Sequence, residues 1–72
     1  MLNTEEFGRR LANLRNKTGK KQREVAEELG ITPQAVSKWE RGLSCPDILM
    51  LDEISSSLGV SIAELFVEDD AR

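Results

Sequence analysis

The stretch Gln22-Arg23-Glu24-Val25-Ala26-Glu27-Glu28-Leu29-Gly30-Ile31-Thr32-Pro33-Gln34-Ala35-Val36-Ser37-Lys38-Trp39-Glu40-Arg41-Gly42 decides the fold. Val25, Ala26 and Leu29 recur at helical spacing until Gly30 stops the first segment, about residues 22–29. Thr32 then offers an N-cap oxygen and Pro33 stands at the first helical position of a second segment, about residues 33–41. Its Val36 and Trp39 face inward, and Gln34, Ser37, Lys38 and Arg41 fall on the opposite face. Only Gly30-Ile31-Thr32 separates the two helices, so the connection is a sharp turn and the helices cross steeply. Such a corner is plain scaffolding in many small helical domains and a nucleic-acid reader in others.

The flanks extend the same pattern. Phe7, Leu11 and Leu14 place one apolar face on a helix over about residues 4–17, opened by a capping-box pair of Asn3 and Glu6 and closed at Gly19. A fourth helix is expected from Asp47 to Leu58 behind Pro46, with Leu51, Ile54 and Leu58 buried. Ser61 and Glu64 form another capping box for a short fifth helix. No hairpin signal interrupts these segments, so the reading is all-α: a five-helix domain over residues 1–67, then an acidic tail, 68–72. Helices this short need a shared core.

Composition narrows the function classes. Seventy-two residues hold one small domain, and the absence of histidine removes the commonest general base and metal ligand. No catalytic residue, metal or cofactor is assigned, and carboxylate pairs such as Glu27-Glu28 and Asp69-Asp70 read as solvated charge. The lone Cys45 cannot form an internal disulfide, and the longest apolar run, Ile48 to Leu51, is far too short to span a membrane, so a cytoplasmic location is expected. Net charge is −3, but it is polarised: residues 1–41 carry +3 and residues 42–72 carry −6. Phosphate contact depends on a local basic face, so the acidic total does not decide the partner.

Four stretches together carry a family likeness: Gln22 to Ala26, Leu29 to Thr32, Val36 to Gly42, and Leu58-Gly59-Val60-Ser61. From about Phe7 to Phe66 the chain resembles the lambda-repressor and Cro-like helix-turn-helix family of bacterial and phage transcription regulators. The resemblance implies a sequence-specific reader of double-stranded DNA, acting as a homodimer on a palindromic operator, with the third helix in the major groove. It is compatible with a repressor, with an antitoxin that regulates its own operon, or with the same fold used as a protein-interaction module.

Carried onto this sequence, the resemblance assigns base readout to Pro33, Gln34, Ser37 and Lys38. Gln34 can pair bidentately with adenine and Lys38 can donate to guanine, whereas Pro33 offers only apolar or shape contact. Phosphate contact falls to Lys20, Lys21, Gln22, Arg23 and Arg41. A lysine at position 21, before the second helix, lacks a capping oxygen and opposes the helix dipole, which costs about 1 kcal/mol. Arg15 and Glu40 match a structural ion pair that seats the reading helix, while Trp39 reads as core. Leu49, Met50, Val60 and Ile62 form a candidate self-association surface, with Leu49 and Met50 folding back over the small core as the rival reading.

Overall fold

Asn3 opens the first helix as an extended residue whose side-chain oxygen accepts the N–H of Glu6 at 2.7 Å, and α1 runs Thr4–Thr18. The order continues with α2, Gln22–Leu29, α3, Pro33–Glu40, and α4, Leu51–Leu58. These elements belong to a computed structural model that describes residues 3–67. No strand occurs among the described residues. The acidic tail expected at 68–72 lies outside them.

The corner between α2 and α3 is set by local chemistry. Gly30 adopts φ 72°, a left-handed conformation that costs an L side chain about 1–2 kcal/mol, and the N–H of Ile31 closes the helix end on the carbonyl of Ala26 at 3.0 Å. Two residues later the Thr32 hydroxyl accepts the N–H of Ala35 at 3.2 Å and starts α3 with Pro33 in its first turn. Helix bounds here agree with the sequence reading to within one residue.

Each eight-residue helix is too short to persist alone, so the fold rests on one buried cluster: Phe7, Leu11, Val25, Ala26, Leu29, Val36, Trp39, Ile54, Leu58 and Leu65. Burying an aliphatic side chain of this kind contributes about 1.5–3 kcal/mol. Phe66 seals one end against Phe7, with ring centroids 5.4 Å apart. Gly8 lets α1 lie directly on the backbone at the end of α3.

The expected fourth and fifth helices need correction. The fourth begins as a 3₁₀ turn at Ile48–Met50, and Asp47 gives it no side-chain cap, so the α-helix starts only at Leu51. The expected fifth helix is a single 3₁₀ turn, Ala63–Leu65. Its capping box does form, with Glu64 and Ser61 exchanging bonds of 2.7 and 3.2 Å. Where the turn ends, Leu65 is fully buried, Phe66 leaves helical φ at −118° and its ring packs on Phe7. The domain therefore has four α-helices and two 3₁₀ turns among the described residues, not five helices.

Candidate nucleic-acid interface

Val36 and Trp39, only 1% and 6% exposed, anchor α3 to the core and thereby fix which residues it turns outward. Pro33, Gln34 and Lys38 are exposed, and among the described residues the Gln34 and Lys38 side chains have no hydrogen bond or ion pair within the domain. Ser37 is half-buried, and its hydroxyl oxygen accepts from Arg41 Nε at 3.2 Å. Arg41 thus folds back over the last turn of α3, where a cation is favoured by the free carbonyls. Its terminal guanidinium nitrogens have no hydrogen-bond partner among the described residues.

Beside α3, the start of α2 collects the other candidates. Lys21 is exposed, and its ammonium supplies no cap. Glu24 compensates by accepting the Lys21 backbone N–H at 2.7 Å and by placing a carboxylate in the positive first turn. Arg23 is exposed, with no partner among the described residues.

Lys20, an expected phosphate contact, has partners inside the domain. Its ammonium donates to the Ser57 carbonyl at 2.6 Å and to Glu28 Oε1 at 2.9 Å, so it ties the α1–α2 turn to the end of α4. The Ser57 hydroxyl also donates to that Glu28 oxygen. The Ser57 hydroxyl and the Lys20 ammonium together hold the Glu28 carboxyl below its usual range. A charge satisfied in this way has little left to offer a phosphate.

The Arg15–Glu40 pair forms as expected. Arg15 Nε meets Glu40 Oε2 at 2.6 Å and Nη2 meets Oε1 at 3.0 Å, a two-pronged contact between side chains only 14% and 7% exposed. The remaining prong, Nη1, donates to the Lys20 carbonyl at 2.9 Å. The hydrogen bond to Glu40 raises the Arg15 guanidinium above its ordinary value. Gln22 joins the same cluster: its Nε2 donates to Glu40 Oε1 at 2.9 Å. One carboxylate at the end of α3 therefore holds both α1 and the first residue of α2.

The candidate self-association residues divide. Leu49 is 83% exposed, against the rival reading, and Ile62 is 42% exposed, whereas Met50 is half-buried against the core, as the rival reading required, and so is Val60. Ile48 and Leu43 are also exposed apolar residues that the sequence pattern did not single out. Sequence spacing also gave no warning of the Lys20–Ser57 bond, which joins positions 37 apart, nor of the role of Gly8.

The geometry agrees with comparisons to known proteins. A family model described as helix-turn-helix matches residues 11–65. The chain is 44% identical over 55 residues to the SPbeta prophage-derived HTH-type transcriptional regulator YonR of Bacillus subtilis, covering 76% of this chain and 51% of that protein. It therefore spans about half of YonR. It is also 38% identical over 63 residues to the HTH-type transcriptional regulator y4dJ of Sinorhizobium fredii, covering 88% of this chain and 82% of that one. Among solved structures, the P22 c2 repressor in complex with a synthetic operator superposes with a TM-score of 0.78 at 28% identity, covering 89% of this chain and 96% of that one. With α2, the turn and the anchored α3 in the arrangement described above, the chain belongs to the helix-turn-helix family.

Proposed function

We propose that this chain is a sequence-specific, double-stranded-DNA-binding domain of a transcription regulator, acting as a repressor. In this reading α3 enters the major groove, with Gln34 and Lys38 reading base edges and Pro33 and Ser37 making shape and close-range contacts. Lys21, Gln22, Arg23 and Arg41 seat the domain on phosphates, which fixes register without reading sequence. Two copies dock one helical turn apart on a palindromic operator, and the exposed Leu49 and Ile62 contribute to their contact.

One observation carries the reading. α3 is anchored by two buried residues, yet its Gln34 and Lys38 have no partner within the described domain. The operator complex of the similar P22 c2 repressor supports it.

Fluorescence titration of a labelled random-sequence duplex tests the basic-face part of the proposal. Binding at about 50 mM salt that weakens steeply by about 200 mM salt is expected from counterion release. No binding at the lower concentration, or no loss at the higher, overturns it.

A further inference from the structure

The Gln22 amide is bonded to the one carboxylate that also holds Arg15 and ends α3. An amide has two nearly isosteric faces, one donating and one accepting, and only the donating face suits a phosphate. Glu40 can accept and cannot donate, so its 2.9 Å contact fixes which way the Gln22 amide lies: the NH2 group toward Glu40, with one of its two hydrogens still free. Arg15 fixes Glu40 in turn through both carboxylate oxygens.

We infer that Glu40 is a positioning residue for DNA binding: it holds the Gln22 amide in the orientation that presents its second N–H to a backbone phosphate, with Arg15 holding Glu40. This rests on the proposed DNA-binding function and adds a purpose to a bond that a purely structural ion pair would not need. The docking of α3 and the phosphate contact of α2 are then linked through one carboxylate, so the reading helix and the phosphate anchor share one register.

Two measurements test the inference. The first uses the native domain without DNA, by NMR of the side-chain amides, with exposed Gln34 as internal reference. The Gln22 amide is expected to show two widely separated proton shifts and hydrogen exchange slower than that of Gln34. Gln22 protons that behave like those of Gln34 overturn the inference, whether or not DNA binds.

The second is a double-mutant cycle in DNA affinity with Gln22→Met, Glu40→Gln and the pair, each measured at a temperature where circular dichroism shows the variant folded. Gln22→Met is expected to weaken binding about tenfold, the scale of one hydrogen bond to a charged group. Glu40→Gln should weaken binding several-fold in the native background, yet change it less than about twofold once Gln22 is Met, because coupled residues are not additive. Equal losses from Glu40→Gln in both backgrounds overturn the positioning role. If Glu40→Gln does not fold, Gln22→Met carries the DNA measurement: an unchanged affinity overturns the inference, as does a Gln22 amide that behaves like that of Gln34. A native domain that binds no duplex defeats the DNA-binding reading, while the amide spectrum still judges the Glu40–Gln22 bond.

Discussion

Gly8 lies so close to Trp39 that a Cβ built on it would stand 2.3 Å from the Trp39 carbonyl oxygen and 2.7 Å from that of Glu40. α1 and the end of α3 are thus in backbone contact, about two turns along α1 from the Arg15–Glu40 pair that binds the same two helices through side chains. α3 is held at its end by contact distance and charge together.

Gly8→Ala is expected to destabilise the domain despite alanine's higher helix propensity. The propensity gain is at most about 1 kcal/mol, whereas overpacking against fixed carbonyls costs about 1–3 kcal/mol and possible relief is limited because both obstructing atoms are backbone. Thermal unfolding should show a lower midpoint. An unchanged or raised midpoint would mean that α1 can shift without cost.

Glu40→Gln should cost about 2–4 kcal/mol. Breaking a buried pair typically costs about 3–5 kcal/mol, and the lower range applies because Arg15 keeps the Lys20 carbonyl and glutamine can still accept one bond. Denaturant unfolding measures it; a loss under about 1 kcal/mol would assign the pair to the exposed class.

Two adjacent lysines should behave differently. Lys21→Ala is expected to lower the slope of log affinity against log salt by about 0.9, the release associated with one phosphate contact. Lys20→Ala should leave that slope nearly unchanged and lower the unfolding midpoint, because its ammonium is engaged by Ser57 and Glu28. The opposite pattern in paired salt titrations would reverse the two assignments.

The Glu28 carboxyl gives a pH signature. Its pKa is lowered in the folded state by the Ser57 hydroxyl and by Lys20, so the stability it contributes is present above the ordinary carboxylate pKa, about 4.3, and is lost as pH falls through the lower folded value. The midpoint difference between the native domain and Glu28→Gln should therefore be constant above about pH 5.5 and shrink in more acidic solution. A difference independent of pH down to acid unfolding would place the Glu28 contribution elsewhere.

Much of this arrangement was legible in the sequence where the cause is local. Gly30 and Thr32-Pro33 act within a few residues of themselves, so the α2–α3 corner could be read directly. The family resemblance supplied the Arg15–Glu40 pair, which the fold then brought to 2.6 Å. Local signals failed where tertiary packing took precedence. Ser61 and Glu64 cap a turn of only three residues, whose last residue, Leu65, and the Phe66 that follows it pack on the core. Gly8 looks like a weak point in a helix until its neighbour across the packing interface is known. Lys20 reads as a free cation until the end of α4 supplies a carbonyl.

The central claim is that the outward face of α3 selects base sequence, and selection of bound duplexes from a random pool tests it most directly. The native domain should enrich a defined motif. Lys38→Ala and Gln34→Ala should each lose preference at one base position, repeated in both half-sites, while Lys21→Ala keeps the motif and binds more weakly throughout. No enriched motif, or a motif left intact by both α3 substitutions, would contradict the account.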